Sequence, residues 1–207
     1  METVKIVAQE GAMPTQGYER DFAYDLYTSK DVLILPSELH SVMVPLGIRT
    51  EFDSERYGMM VTPRSSFSKL PLVMGNHVGI IEGDYRGEWQ LPLRNVLVLA
   101  NTSNTVLTVT DRGLEQRHIS IVPRSVLEAS ESRFKDDSAL LGLSVGGDVE
   151  KALFTSILPS GAIFIPKGTR LAQAFLVEKT QINWEKVSKK ELTTTDRGQG
   201  GFGSSGR

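Results

Sequence analysis

Short apolar runs recur along the whole chain, and each is bounded by Gly, Pro, Asn, Asp or Ser. Short strands at close spacing with turn residues between them are typical of a β-sandwich or a β-barrel. A helical period is present only in Ser125–Lys135 and Asp148–Phe154. The pattern therefore predicts an all-β fold with two short helices. The apolar runs begin at Val4, Asp31, Val42, Gly58, Val96, Thr105, Ala162 and Ala172.

The composition narrows the kind of partner that this chain takes. Of its 207 residues 40% are hydrophobic, which is enough for a core, and none is cysteine. The lack of cysteine excludes a disulfide framework, a thiolate metal site and a cysteine nucleophile. A net charge of -2 offers no broad electrostatic footprint for nucleic acid or for an anionic membrane. A small-molecule partner is therefore favoured.

The beginning of the chain indicates where the protein acts. Charges are scattered through METVKIVAQEGAMP, which leaves no apolar stretch long enough for a secretion signal. Nothing further along approaches the roughly 18 consecutive apolar residues of a membrane span. We therefore expect a cytoplasmic protein, or one of the host-cell cytoplasm if a virus encodes it.

Five short segments carry groups that suit a nucleotide. The turn after Pro63 brings together a guanidinium, hydroxyls and backbone N–H groups, which make a phosphate cradle. Glycines in the last segment let backbone N–H groups close over phosphates. Taken singly, each segment is also explained as an ordinary turn, strand or tail. They are AYDLY at Ala23–Tyr27, TPRSSFSKL at Thr62–Leu70, NHVGIIEGDYRGE at Asn76–Glu88, PKGTRLAQAF at Pro166–Phe175 and DRGQGGFGSSG at Asp196–Gly206.

In this order, the five segments resemble the five motifs of the trimeric dUTP pyrophosphatases. The resemblance covers about residues 1–95 and 166–207. It implies a distorted jelly-roll β-barrel of the β-clip type, assembled as a homotrimer whose active sites each draw on three chains. It also implies hydrolysis of dUTP to dUMP and pyrophosphate with Mg²⁺, which limits uracil in DNA and supplies dUMP.

The resemblance assigns roles to residues of the first, second and fourth motifs. Asp25 holds water ligands of the Mg²⁺ ion rather than the ion itself. Arg64 organises the acids around the site, while Ser65 and Ser66 contact the α- and β-phosphate region. Gln173 of the fourth motif is a further phosphate contact.

The third motif is expected to form a β-hairpin that holds the nucleoside and the catalytic base. The backbone around Gly79 and the side chain of Asn76 bind the uracil edge, and Tyr85 packs against the deoxyribose. Glu82 orients and deprotonates the attacking water. The neighbouring Asp84 is expected to pair with Arg64 or Arg86.

The fifth motif lies in a Gly- and Ser-rich arm, residues 193–207, which the resemblance identifies as a mobile lid over the nucleotide. Arg197 pairs with phosphate charge and Phe202 stacks on uracil. The segment Gly203, Ser204 and Ser205 contacts the phosphates, the two serines at the γ position.

Two features depart from the family pattern. The family carries Asp where this chain has Glu82, whose extra methylene moves the carboxylate by on the order of 1 Å. We expect Gly83 to let the turn relax, or another rotamer of Glu82 to absorb the difference. Residues 96–165 form a far longer insertion between motifs three and four, expected to extend the barrel in part and to form an extra subdomain in part. The barrel core is then residues 1–95 and 166–192.

Several alternatives stay open at this point. The insertion is either decoration, a docking surface for a protein partner, or a cap on the active site. A regulatory module that senses dUTP and engages such a partner is one competing function, and a hydrolase of a related pyrimidine deoxynucleotide is another. A dCTP deaminase shares the fold and the PRSS motif, but Pro92 falls about where its catalytic Glu belongs.

Overall fold

The computed structural model of the chain describes residues 2–98 and 101–200. Strands dominate this part, so the predicted all-β class is confirmed. The strands are β1 (Lys5–Ala8), β2 (Tyr24–Tyr27), β3 (Val32–Ile34), β4 (Val42–Pro45), β5 (Ile48–Glu51), β6 (Tyr57–Pro63), β7 (Leu72–Met74), β8 (Gly79–Glu82), β9 (Gln90–Asn95), β10 (Thr102–Ser103), β11 (Thr105–Thr110), β12 (Gly113–His118), β13 (Leu158–Pro159), β14 (Ile163–Ile165) and β15 (Arg170–Glu178). The helices are α1 (Arg124–Leu141), α2 (Gly147–Ala152) and three 3-10 turns, Ser65–Lys69, Ile119–Ile121 and Lys189–Glu191.

The strands pair into small sheets that wrap around a common core, as in a distorted jelly roll. The largest sheets have the orders β2-β15-β6-β8 and β12-β11-β14-β3, and a third has the order β4-β9-β7. Two-stranded pairs β1-β5 and β10-β13 complete the described part. The pairings are antiparallel except for β11 with β14. Among the residues that the structure describes, no helix is long and apolar enough to cross a bilayer.

Alternation along the strands explains how the barrel core forms. In β9, Leu91 and Leu93 are buried while Gln90 and Arg94 are exposed, which is the period of two of a half-buried strand. Val44 on the neighbouring strand is fully buried in the same core. The first hydrophobic cluster therefore fills the barrel from all three larger sheets.

Strands β3 and β14 are apolar throughout because both of their faces are covered. Ile34 and Ile163 point into the barrel core, whereas Leu33 and Phe164 belong to a second apolar cluster. Strands buried on both faces read as continuous apolar runs. The second layer is formed by the insertion, whose remaining cluster members are Val106, Ile119, Val122, Leu127, Leu153, Phe154, Leu158 and Ala162, with Leu35 from the end of β3.

Polar contacts also fasten helix α1 to the barrel. Arg133 Nε lies 2.8 Å from Glu38 Oε1, and Asp137 accepts a hydrogen bond from the backbone N–H of Leu39 at 2.9 Å. Burial raises the pKa of Glu38, an effect that Arg133 opposes. The insertion is thus bound to the segment that follows β3 by both packing and charge.

The structure can be compared with the predicted helices and with the strand predicted from Val96. Both predicted helices are present, and α1 runs on to a left-handed Gly142 with φ 64°. The strand predicted from Val96 is wrong for residues 96–98, which are irregular because the Asn95 side chain accepts a hydrogen bond from Leu97 N–H. Residues 99–100 lie outside the described part.

The β-hairpin predicted for the third motif is also wrong. Strand β8 pairs with β6, whereas β9 pairs with β4 and β7. The backbone N–H of Trp89 donates to Ile48 and its carbonyl accepts from Leu46, so the chain has already joined the other sheet there. The motif therefore crosses between sheets and leaves a pocket where a hairpin would have closed.

Candidate active site

A row of polar side chains crosses the outer face of the sheet β2-β15-β6-β8. Asp25 lies opposite Gln173, which lies opposite Thr62. Their chain neighbours Leu26 and Ala172 belong to the barrel core, so alternation directs the polar row outward. The first and fourth motifs are thereby brought side by side.

Asp25 is the centre of this row. It is only 9% exposed, and its Oδ1 lies 2.6 Å from Arg64 Nε. Its Oδ2 lies 3.5 Å from a terminal nitrogen of Arg170. A buried carboxylate requires such partners, because an unpaired charge is costly to remove from water. The predicted role of Arg64 in organising an acid has its counterpart in this ion pair.

The PRSS segment turns at the end of β6 to present hydroxyls beside this pair. Arg64 has extended backbone angles, and its N–H donates to the carbonyl of Leu171 at 3.0 Å. A 3-10 turn follows, anchored by the buried side chain of Phe67. Ser65 and Ser66 are therefore held exposed at the first turn, next to a guanidinium.

Two neighbouring clefts open onto these groups. The larger is about 630 Å³ and is lined by Asp25, Arg64, Ser65 and Gln173, together with an aromatic side that includes Phe175. The smaller, about 170 Å³, adjoins it and is lined by Ser65, Ser66, Lys69, Asp111 and Arg170 among others. Guanidinium, ammonium and hydroxyl donors in adjoining clefts suit a polyanion such as a chain of phosphates.

The Asp25 carboxylate fits an ion that keeps its water shell. Both of its oxygens already face guanidinium groups, so it is poorly placed to replace water in the first coordination sphere. Mg²⁺ keeps several waters and commonly binds through one or two carboxylates plus substrate phosphates. The arrangement is compatible with the predicted contact through water.

The third motif contributes a separate, smaller pocket of about 70 Å³. Asn76 and Gly79 line it together with apolar side chains such as Trp89. A Cβ at position 79 would stand 3.6 Å from Asn76 Nδ2, an ordinary van der Waals distance, so the backbone of Gly79 lies beside that amide. Backbone groups and one amide in an apolar slot can hold the edge of a flat ring.

Tyr85 sits at the crossing between the two sheets. It is 45% exposed, and its hydroxyl donates to the carbonyl of Glu88 at 3.3 Å. A Cβ at Gly87 would fall 2.1 Å from the Tyr85 oxygen, so glycine at position 87 leaves room for the ring in this orientation. The ring therefore lies close to Gly87 at the crossing and is partly accessible.

Glu82 ends β8 and is exposed. Gly83 beside it is buried, and a Cβ there would lie 2.3 Å from the carbonyl oxygen of Phe52. That carbonyl-lined contact and a 2.8 Å hydrogen bond from Arg86 to the Gly83 carbonyl pin the turn. This close packing of Gly83 argues against the relaxed turn, and the alternative expectation, another rotamer of Glu82, stays a prediction.

The ion pairs expected for Asp84 are wrong. Arg64 pairs with Asp25, and Arg86 lies 3.3 Å from Glu51 while also donating to the carbonyls of the turn. Asp84 is exposed in the same turn.

Within one chain, Glu82 and Asp25 are far apart. They lie on β8 and β2, the two edges of the four-stranded sheet, and Glu82 is opposite Gly58, four residues from Thr62. Three strand spacings and four residues along a strand amount to about 20 Å. Both residues nevertheless occupy outward positions of the same sheet.

Much of the fifth motif lies beyond the described residues. Arg197 is exposed, and its Nε donates to the carbonyl of Gly200 within a turn. Phe202, Gly203, Ser204 and Ser205 fall outside the described part, and their roles stay predictions.

Sequence reasoning missed Arg170, which contacts Asp25 and lines both clefts. Three residues separate it from Gln173, so strict alternation would place the two on opposite faces. A β-bulge between Arg170 and Ala172 turns it to the outer face. The sequence gives no signal for that bulge.

Comparisons with known proteins agree with this geometry. The chain is 26% identical to the deoxyuridine 5'-triphosphate nucleotidohydrolase of Nautilia profundicola over 205 residues, 99% of this chain and 97% of that protein. The Shigella sonnei protein of the same name is 24% identical and covers 97% of this chain and 91% of its own length.

Solved structures show the same fold. A Staphylococcus bacteriophage 80alpha dUTPase with dUPNHPP matches with a TM-score of 0.67 and 19% identity, covering 100% of both chains. The dUTPase from phage phi11 of S. aureus, described with a species-specific insert, matches with a TM-score of 0.63 and 19% identity over 92% of this chain and 99% of its own. The model of the dUTPase family matches residues 9–112, half of the chain. By this match the chain belongs to the dUTPase family.

Proposed function

We propose that this protein hydrolyses dUTP to dUMP and pyrophosphate in the cytoplasm, with Mg²⁺, as a homotrimer. The observation that carries the proposal is the ion pair between the buried Asp25 and Arg64, which lines a cleft together with Ser65 and Gln173. Such a site offers donors for phosphate oxygens and a carboxylate for an ion's waters. The names of the relatives support dUTP as the substrate.

The reaction needs a positioned water and a stabilised leaving group. Glu82 takes a proton from the water as its oxygen bonds to the α-phosphorus, and the bond from that phosphorus to the bridging oxygen of the β-phosphate breaks. Ser65, Ser66 and Arg64 hold phosphate oxygens in line for the attack. Bound Mg²⁺ would neutralise charge that develops on the pyrophosphate.

The pocket beside β8 supports selection of uracil. Asn76 and the backbone at Gly79 line this pocket and offer hydrogen bonds to one base edge. Tyr85 does not line it, and its packing against the deoxyribose stays an expectation from the family resemblance. A base that pairs badly leaves buried donors and acceptors unsatisfied, which discriminates strongly.

The distance of about 20 Å between Asp25 and Glu82 supports a site shared between chains. A second copy laid over the outer sheet face can bring its own Glu82 to the Asp25 of the first. Closed cyclic symmetry then repeats the same contact around a trimer.

A pyrophosphate-release assay with dUTP, dCTP, dTTP and UTP in magnesium buffer tests the proposal. We expect release from dUTP alone at a substantial rate. Tight binding of dUTP without release would contradict hydrolysis and favour a sensing module. Comparable release from dCTP or dTTP would contradict the assignment of the base pocket.

A further inference from the structure

The insertion reaches the phosphate clefts through one turn. Asp111 stands in the tight connection between β11 and β12, and its Oδ1 lies 3.3 Å from a terminal nitrogen of Arg170. The other terminal nitrogen of Arg170 lies 3.5 Å from Asp25. A chain of alternating charge therefore runs from the insertion to the centre of the candidate active site.

The contacts of Arg170 are looser than those of its neighbour Arg64. Strong charge-assisted hydrogen bonds measure about 2.7–2.9 Å, a range that both of its ion pairs exceed. Arg64, by contrast, stands 2.6 Å from Asp25. Of the two guanidinium groups, Arg170 is the one whose donors can be redirected at small cost.

The two partners of Arg170 also differ in how firmly they hold it. The Asp111 side chain is 84% exposed, while that of Asp25 is 12% exposed. Exposed ion pairs are weak because water and salt screen them. An incoming polyanion would therefore displace Asp111 from Arg170 before it displaced Asp25.

We propose that Arg170 binds the phosphate chain and that Asp111 is its counter-ion in the empty site, competing with phosphate for the guanidinium. This inference rests on the proposed function, because it takes the clefts to be the polyphosphate site. The smaller cleft, where Lys69 and Ser66 flank the Arg170–Asp111 pair, would hold the phosphates that leave as pyrophosphate.

Competition between Asp111 and phosphate for Arg170 favours release of the product. Asp111 returns to Arg170 when the product departs, so its charge weakens retention of pyrophosphate and speeds release. The insertion would then act on turnover through a single carboxylate rather than through a change of fold. Arg170 is a binding residue in this account, and Asp111 is a positioning residue that acts through it.

Calorimetric binding of inorganic pyrophosphate in magnesium buffer tests this without relying on turnover. Because an amide at position 111 no longer competes for the Arg170 guanidinium, Asp111→Asn should lower the Kd for pyrophosphate roughly three- to tenfold. Arg170→Gln should raise it, with Asp25 still paired to Arg64. The matched control is Glu115→Gln on the same hairpin, whose carboxylate pairs with Arg117.

The double variant Asp111→Asn with Arg170→Gln separates the mechanism from simple repulsion. If Asp111 acts as the counter-ion of Arg170, its replacement should change the Kd by less than about twofold in the Arg170→Gln background. An undiminished effect in that background, or an equal effect of Glu115→Gln, would overturn the inference. A protein that shows the expected pyrophosphate affinities but does not hydrolyse dUTP would refute the proposed function alone.

Discussion

Replacing Glu82 distinguishes a protein that hydrolyses dUTP from one that only binds it. A glutamate carboxylate can accept a proton from water, whereas the amide of glutamine cannot. We expect Glu82→Gln to abolish turnover while dUTP still binds, because the amide keeps the shape and loses the base. Glu82→Asp should retain at least partial activity, measured as pyrophosphate release alongside the Kd of dUTP.

The outcome depends on the rotamer of Glu82, because the backbone of Gly83 is packed closely against the carbonyl of Phe52. Equal slow hydrolysis by wild type and Glu82→Gln, with equal binding, would show that another group activates the water. The protein would then be better described as a dUTP sensor.

Glu38, which pairs with Arg133 of α1, is expected to make a pH-dependent contribution to the free energy of unfolding. Burial raises its pKa above the ordinary 4.5, so the folded protein holds this proton more tightly than the unfolded chain does. Its contribution to stability is therefore present below that ordinary value and is lost as the pH rises through the raised pKa.

Unfolding free energies of wild type and Glu38→Gln, measured at about pH 4 and about pH 7, check this sign. The advantage of wild type over Glu38→Gln should shrink at the higher pH, because the amide does not titrate. An advantage that grows with pH would mean that the ion pair with Arg133 outweighs burial.

At the scale of elements, the insertion is a second layer of the fold. Phe154 is 1% exposed, and its ring lies 5.7 Å from that of Phe134 on α1. Phe154→Ala should lower the free energy of unfolding by about 3–5 kcal/mol, as other deletions of buried aromatic rings do. Chemical denaturation measures this loss.

Leu140→Ala is the matched control, since Leu140 lies on α1 and is 72% exposed. Its effect should stay within about 0.5 kcal/mol. A loss below 1 kcal/mol for Phe154→Ala, as small as a surface effect, would show that the insertion packs loosely and is not part of the cooperative unit.

Most strands could be predicted from the sequence, because apolar runs and turn residues are local signals. The run TVLTVT became β11 with the same bounds. The third motif could not be read correctly, since a crossing between sheets and a hairpin share the same local pattern. Strand β8 pairs with β6, from which a 3-10 turn and β7 separate it, and not with β9, the next strand along the chain.

In the candidate site, too, residues of local motifs could be predicted from the sequence, and residues placed by longer-range structure could not. Arg64 and its serines carry a specific motif, whereas Arg170 depends on a bulge and Asp111 on the packing of an insertion. The continuous apolar runs at Val32 and Ala162 were visible in the sequence, but we did not interpret them as strands buried on both faces. They indicate strands covered on both faces, and the covering layer is the insertion itself.

At the scale of the whole molecule, the C-terminal arm is expected to serve closure and not folding. Its described part, residues 193–200, contributes nothing to either apolar cluster. Removing Thr193–Arg207 should leave a folded trimer with little turnover. Light scattering and pyrophosphate release measure the two properties, and full activity of the truncated protein would remove the arm from the mechanism.

We propose that each active site takes Asp25 and Glu82 from different chains. Asp25→Asn and Glu82→Gln, expressed singly, should each be inactive. Co-expressed in equal amounts, the two variants should regain about a quarter of wild-type turnover, because a quarter of the sites in randomly mixed trimers receive both intact residues. Mixed trimers with no more activity than either parent would contradict the shared site and leave Asp25 and Glu82 in separate roles.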